Sequence, residues 1–211
     1  MRTGAAMMVA MLAVIGAGIG RAEKKGEQRI VVYMENGMAP MSAVRQAQSM
    51  AGRMFAGISI AIDWRRGVPE GSALPQERTL AVRIADKALE NCSPSAMAAS
   101  QPYEGVHIIV FYDRVASRFS HIRSPLQSQV LTARLLAHVL VHEITHMLQG
   151  VSRHSDDGIM KAVWTPKDYR QMERRMLPFA PEDVQRIQTG LSWPTSGAPV
   201  TANTNPEKAA R

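Results

Sequence analysis

The sequence predicts an α+β fold. Three observations lead to this prediction. Short runs rich in β-branched residues occur at 29–34, 57–64 and 106–112, and each has the length and composition of a buried strand. A helical spacing of apolar residues separates the first two runs, at 41–55. A second, almost wholly apolar helical segment follows residue 124, and four of the six histidines fall between residues 138 and 154.

The first 22 residues have the features of a secretory signal. Arg2 supplies the positive start, residues 7–19 are apolar, and Gly20 and Ala22 are the small residues that a signal peptidase needs. The apolar run is too short to span a bilayer comfortably, which takes about 20 residues. We therefore expect cleavage after residue 22, a secreted or periplasmic location and no stable membrane insertion after cleavage. An uncleaved anchor is the alternative.

The composition narrows the range of partners. The formal charge is +7, but the basic residues are scattered and aromatic residues make up only 5% of the chain. We therefore expect no nucleic-acid partner, because a basic patch with stacking aromatics is missing. Cys92 is the single cysteine, so the chain has no internal disulfide and depends on core packing and on any bound metal.

The first half of the chain predicts a strand, a helix and a strand, at 29–34, 41–55 and 57–64. That order implies a parallel pair of strands joined by a right-handed crossover.

The next segments are less regular. Residues 67–75 predict a loop, and 79–88 fit either a strand or a short helix. Residues 91–102 are small, polar and punctuated by proline, which predicts a surface loop. The strongest strand pattern is at 106–112. From residue 191 onward no periodicity remains, so we expect 191–211 to be a disordered tail.

The apolar helix has clear start and stop signals. Ser124 suits the N-cap, Pro125 suits the first helical position, and Gln127 would complete a capping box. Gly150 supplies the stop. Between these limits almost no polar face remains, so the helix should be buried; its apolar positions include Leu131, Leu135, Leu136, Val139, Leu140, Ile144 and Leu148.

Within this helix His142, Glu143 and His146 form an HExxH pattern. Residues four apart share one helix face, so His142 and His146 can both reach a single Zn²⁺. Glu143 lies about 100° around the helix, where it can contact a water without ligating the metal. Burying these groups without a partner is costly. The alternative is that both histidines are satisfied core residues.

A third ligand is needed, and three residues compete for the role. His138 and His146 are separated by eight residues, a rise of about 12 Å, so they cannot easily converge on one ion. We expect His138 to be a core residue or to support the ligands. His154 lies beyond the helix stop, where the chain can turn back. Glu173, on a following helix, would be the third ligand in a gluzincin-type site.

The pattern HExxH-x3-G-x3-HS-x2-GIM, from His142 to Met160, resembles the metzincin metallopeptidase clan and its matrixin branch. The helical pattern at 180–190 is similar to the closing helix of matrixins. This resemblance implies a zincin fold over residues 23–190: a mixed twisted sheet, an active-site helix and a small C-terminal helical subdomain.

The resemblance also implies roles for individual residues. His142, His146 and His154 would hold one catalytic Zn²⁺, and Glu143 would take the proton of the attacking water in a zinc endopeptidase. Met160 would form the Met-turn under the histidines, and Trp164 would line the substrate pocket. Residues 106–112 would be the edge strand against which a peptide or protein substrate adds.

The spacing also departs from the clan. Gly150 and His154 come one and two residues later than usual, and Ala162 stands where several branches carry a tyrosine. Two alternatives to the endopeptidase therefore stay open: a non-catalytic zinc-binding protein of the same fold, and the gluzincin-type peptidase. Substitution of His154 by alanine distinguishes the gluzincin-type site from the metzincin-type site. Zinc binding would survive the substitution only if the site were of the gluzincin type.

Overall fold

The computed structural model describes residues 28–67, 78–88, 90, 92–100 and 107–192. The predicted signal segment, 1–22, lies outside these residues. So do most of the loop predicted at 67–75 and all but the first two residues of the predicted tail.

The sheet has five strands in the order β2-β1-β3-β5-β4. Neighbours among β2, β1, β3 and β5 are parallel, and β4 pairs with β5 in the antiparallel sense. The sheet is therefore mixed, as predicted. The strands are β1 (Gln28–Glu35), β2 (Ile60–Arg66), β3 (Thr79–Ala85), β4 (Ala98–Ser100) and β5 (His107–Phe111).

The predicted parallel pair of strands joined by a helix is confirmed. Helix α1 (Met41–Ala56) connects β1 to β2, and the two strands pair in parallel from Gln28↔Ile60 onward. One face of α1 is fully buried, and it consists of Ala43, Val44, Ala47, Ala51 and Phe55. β2 begins three residues later than predicted because residues 57–59 form a turn, in which Ser59 has a φ of 62°.

The structure decides one open choice and corrects two predictions. Residues 79–85 form a strand and not a helix. The segment 91–102, predicted to be a surface loop, contains the short strand β4. The strand predicted at 106–112 is therefore not the edge strand, since β4 covers β5 on that side. The small side chains of β4 give little strand signal, so only its pairing with β5 reveals it.

Helix α3 (Pro125–Gln149) packs against α1 and contributes much of the core. Ser124 accepts a hydrogen bond from the Gln127 backbone N–H, the half of the predicted capping box that the structure shows. Gly150 ends the helix in the left-handed conformation, with a φ of 67°. Leu135, Leu136 and Ile144 are at most 1% exposed, and each such side chain stabilises the fold by about 1.5–3 kcal/mol.

Short elements complete the fold: α2 (Tyr112–Ser117), a 3₁₀ turn (Gly158–Met160), α4 (Pro166–Met172) and α5 (Pro181–Ser192). α5 extends two residues into the segment predicted to be a tail, and it packs on the C-terminal end of α3. A Cβ atom at Gly190 would collide with the Leu148 carbonyl, so the two helices touch through their backbones. In the described part of the chain no helix has the length and apolarity to cross a membrane.

Candidate metal centre

His142 and His146 lie one turn apart on α3, and their rings are nearly perpendicular, at 78°. The ring centroids are 4.7 Å apart, and the two Nε2 atoms are separated by 3.0 Å. The four-residue spacing produces this approach, since side chains at i and i+4 point to the same side of a helix.

Backbone carbonyls accept hydrogen bonds from the other nitrogen of each ring. His142 Nδ1 lies 2.9 Å from the Ile159 oxygen, and His146 Nδ1 lies 3.1 Å from the Val151 oxygen. A carbonyl only accepts, so each Nδ1 carries the proton and each Nε2 presents a lone pair. Two lone pairs 3.0 Å apart repel each other, and a cation between them would remove this repulsion.

His154 brings a third imidazole to the same place. Its ring centroid lies 5.3 Å from that of His142 and 4.9 Å from that of His146. One nitrogen from each ring falls within 4.8 Å of the others. The left-handed turn at Gly150 allows the chain to double back and present His154, which is solvent-exposed.

This donor set fits zinc. Neutral imidazole nitrogens are common zinc ligands, and two of them about 2.0–2.1 Å from a tetrahedral ion lie roughly 3.4 Å apart. This distance lies between the 3.0 Å that separates the Nε2 atoms of His142 and His146 and the 4.8 Å within which all three donor nitrogens lie. Among the described residues, no other group of three or more His, Cys, Asp or Glu side chains converges in this way. Glu173 is exposed at the end of α4 and is not part of the cluster.

Burial keeps the two helical histidines of the cluster uncharged. Loss of solvent lowers the pKa of His142 to about 4 and that of His146 to about 4. Both imidazoles are therefore neutral near pH 7, the form in which histidine binds a metal.

Glu143 is half-buried beside the histidines, and a residue of another element contacts it. Ser100 Oγ, on the edge strand β4, donates a hydrogen bond of 2.5 Å to Glu143 Oε2. Burial raises the pKa of Glu143, while the Ser100 hydroxyl and the nearby histidines act in the opposite direction. The contact between Ser100 and Glu143 is absent from the sequence prediction, because 43 positions separate the two residues.

The 3₁₀ turn that contains Met160 contacts His142 through its backbone. Gly158 has a φ of 76°, and the Ile159 N–H donates to the Pro178 oxygen at 2.9 Å. The Met160 oxygen accepts from the Ser155 N–H at 2.9 Å, and Met160 is fully buried. The carbonyl that accepts from His142 belongs to Ile159, so a hydrogen bond joins this turn directly to the candidate ligand.

Two solved structures are similar to the chain at low sequence identity. The zinc-dependent peptidase from Methanocorpusculum labreanum matches with a TM-score of 0.51 and 13% identity, over 75% of this chain and 99% of that chain. The chain shares that peptidase's fold. Archaemetzincin from Methanopyrus kandleri matches with a TM-score of 0.47 and 14% identity, over 82% of this chain and 99% of that chain. No protein-family model matches the chain, and no curated protein matches it by sequence.

A cleft of about 290 Å³ is lined by His142 and His154. One wall comes from residues 95–98 and the other from residues 161–164 with Tyr169, and Glu143 lies between them. Trp164 lines this cleft, and its role in binding a substrate stays a prediction. Its Nε1 donates to the Ile159 oxygen at 3.3 Å, the same oxygen that accepts from His142. Trp164 of the cleft and the candidate ligand His142 therefore share one anchoring atom, the Ile159 oxygen.

A salt bridge holds the second wall in place. Lys161 Nζ lies 2.7 Å from Asp168 Oδ2, and both side chains are less than one-fifth exposed. The same carboxylate oxygen accepts from the Thr165 backbone N–H and hydroxyl, each at 2.7 Å. Thr165 caps α4, so this pair fixes the start of α4 relative to the cleft.

His138 is a core residue and is excluded as a ligand. It is fully buried, and its Nδ1 donates to the Arg134 oxygen at 2.7 Å. Its Nε2 accepts from the Leu177 backbone N–H at 3.1 Å. Both nitrogens are therefore engaged within the protein.

One buried network near the site has no counterpart in the sequence analysis. Ser155, next to His154, donates to Asp183 Oδ1 at 2.6 Å, and Arg186 lies 2.9 Å from the same oxygen. Asp183 is completely buried in α5. The network ties the ligand-bearing loop to α5. An acidic residue in the first turn of a helix is too common a feature to have indicated this role.

Proposed function

We propose that the protein is a zinc-dependent endopeptidase of the metzincin-like type. One observation carries the proposal: three imidazole donors converge beside a half-buried carboxylate that lines an open cleft. The fold shared with the M. labreanum peptidase supports it. The assignment to a matrixin-like variant rests on the motif from His142 to Met160.

His142, His146 and His154 would hold the single Zn²⁺. When bound, zinc lowers the pKa of a coordinated water towards about 7 and polarises a substrate carbonyl. The Ile159 and Val151 carbonyls fix the proton of the two helical imidazoles on Nδ1, which keeps their Nε2 lone pairs aimed at the ion.

Glu143 is the proposed general base. Its carboxylate takes the proton of the attacking water and afterwards delivers a proton to the leaving amine. Burial raises the pKa of Glu143, and the Ser100 hydroxyl and the nearby histidines oppose this shift.

The substrate is a peptide or protein. An extended peptide would add to the exposed edge of β4, which is the last strand of the sheet. The opposite wall offers Trp164 and Tyr169, and the β4 side offers Met97 and Ala98. We therefore expect an apolar substrate side chain beside Trp164.

Export belongs to the proposal as well. The apolar leader at 1–22 supports a secreted or periplasmic location of the mature chain. N-terminal sequencing of the mature protein should begin near Glu23, and a sequence that still starts at Met1 would exclude cleavage.

The proposed function is tested by zinc content and by cleavage of a mixed peptide library before and after chelation. We expect about one zinc per chain and cleavage that is lost on chelation. Glu143→Gln keeps the ligands but removes the base. It should retain zinc and cleave at least about a hundredfold more slowly. His142→Ala should lose zinc and cleavage together.

The outcomes discriminate between the alternatives. Zinc binding without any cleavage by the wild type would favour the non-catalytic protein. Zinc retained by His154→Ala would favour the gluzincin-type site. Cleavage by Glu143→Gln at the wild-type rate, with zinc bound, would contradict the proposed role of Glu143.

A further inference from the structure

The edge strand β4 contacts the metal centre through one side chain. β4 pairs with β5 through Ala98↔Val110, Ala99↔Ile109 and Ser100↔Ile108. Successive side chains of a strand point to opposite faces, so Ala98 and Ser100 share a face. Ala98 lines the cleft, and Ser100 reaches Glu143.

The hydrogen bond between Ser100 and Glu143 has a defined direction. An ionised carboxylate only accepts, so the Ser100 hydroxyl donates its one proton to Glu143 Oε2. The distance of 2.5 Å is typical of a charge-assisted O–H···O⁻ bond, which is roughly twice as strong as a neutral one. The bond therefore ties one oxygen of the Glu143 carboxylate to β4.

The bond also restricts the orientation of the carboxylate. The last torsion of a glutamate side chain has a broad energy minimum, so an unpartnered carboxylate rotates easily. Ser100 engages Oε2 and leaves Oε1 as the oxygen that accepts a proton. The backbone of Ser100 belongs to the strand on which the proposed substrate docks.

We infer that Ser100 is a positioning residue for Glu143. Its hydroxyl holds the general base in register with a peptide docked on β4, so that one short strand sets the positions of both. The inference rests on the proposed function. Because the hydroxyl bonds to Glu143 and not to the substrate, its removal should lower kcat and leave KM unchanged.

The test compares Ser100→Ala, Ser100→Thr and Ser93→Ala, with zinc content and melting temperature measured for each. Ser100→Ala should lower kcat by about tenfold to a hundredfold, the range for a hydrogen bond to a charged group. KM, zinc content and melting temperature should stay at their wild-type values. Ser100→Thr keeps a hydroxyl and should recover most of kcat. Ser93 is an exposed serine of the segment leading into β4, so Ser93→Ala should cleave like the wild type.

Each outcome is decisive. An unchanged kcat in Ser100→Ala, with Glu143→Gln inactive, overturns the role of Ser100 and leaves the proposed function intact. A loss of zinc or a lower melting temperature in Ser100→Ala shows a structural role and overturns it as well. A failure of Ser100→Thr to recover activity has the same meaning. A zinc-loaded wild type that cleaves nothing overturns both proposals together.

Discussion

The imidazole of His138 is fully buried between Arg134 and Leu177 and uses both nitrogens in hydrogen bonds to the backbone. Its Nε2 can accept the Leu177 N–H only when the ring is neutral. Burial lowers the pKa of His138 to about 4, and the Arg134 charge acts in the same direction. This histidine therefore stabilises the core as a neutral group, although it stands one turn before a proposed ligand.

The buried His138 predicts a dependence of stability on pH. Between about pH 6.5 and pH 4 the unfolded chain binds a proton at His138 and the folded chain does not. The free energy of unfolding should therefore fall as the pH falls through this range, by at most about 1.4 kcal/mol per pH unit from this residue. His138→Gln removes the titrating group, so urea denaturation should show a smaller loss between pH 7 and pH 4.5 than in the wild type.

His121 provides the matched control for this measurement. It is exposed on the surface, so His121→Gln removes an imidazole without altering the core. If His138→Gln lost as much stability on acidification as the wild type and His121→Gln, the buried neutral state of His138 would not contribute to the pH dependence.

At the scale of elements, two glycines with positive φ support the site in different ways. Gly150 ends α3 with a φ of 67°, and a Cβ atom there would meet no other atom within 4 Å. Gly158 begins the 3₁₀ turn with a φ of 76°, and a Cβ atom there would collide with the Pro178 carbonyl. Ile159, whose carbonyl holds His142, is the next residue.

This difference predicts how much the free energy of unfolding falls when each glycine is replaced by alanine. Gly150→Ala should lower the free energy of unfolding by about 1–2 kcal/mol, the strain of a left-handed non-glycine residue. Gly158→Ala adds a steric clash and should cost about 1–3 kcal/mol more. It should also weaken zinc binding, because relief of the clash displaces the Ile159 carbonyl. Urea denaturation and zinc titration measure both effects. Equal costs would mean that the Pro178 segment moves away freely.

The same elements show what the sequence could and could not predict. The crossover of β1, α1 and β2 was predicted because its signals are local: β-branched runs and a helical spacing with Val44 and Ala47 on one face. The ends of α3 were predicted because Ser124 and Gly150 act within one turn. β4 was missed because Ala98–Ser100 becomes a strand only through pairing with β5. Contacts of this kind depend on residues that are distant in sequence.

In the candidate site, too, local features were predicted from the sequence and long-range contacts were not. The HExxH spacing fixes His142, Glu143 and His146 on one helix, so the residues alone predicted their convergence. His154 was predicted as the third ligand, in preference to Glu173, because His154 lies beyond Gly150 and because the motif resembles that of metzincins. The Ser100 contact, by contrast, requires β4 to lie across α3, which no local pattern encodes.

At the scale of the whole molecule, the metal centre lies where separate parts of the fold meet. α3 supplies His142 and His146, and the segment after Gly150 supplies His154. The Ser155–Asp183 hydrogen bond then ties this segment to α5. Hydrogen bonds of Ser155 and the buried side chains of Ile159 and Met160 hold this segment, whereas β1 and α1 contribute more side chains to the apolar core.

Zinc removal should therefore loosen one part of the molecule more than the rest. A ligand present at about 1,000 times its Kd stabilises the folded state by about 4 kcal/mol, so chelation should lower the melting temperature by on the order of 10 °C. Hydrogen exchange locates the effect. The Ser155 amide, which bonds to the Met160 oxygen, should lose protection on chelation. Amides of β1 and β2 should change little, because their ladder does not involve the ligands.

His154→Ala is the matched variant for this experiment, because it breaks the link between α3 and the following segment without a chelator. Without added metal it should show the same exposed Ser155 amide as the chelated wild type, and chelator should change it no further. An unchanged melting temperature of the wild type after confirmed loss of zinc would show that the ion adds nothing to the fold. In that case the hydrogen bonds of Ser155 to Met160 and Asp183 would be sufficient to hold the ligand loop.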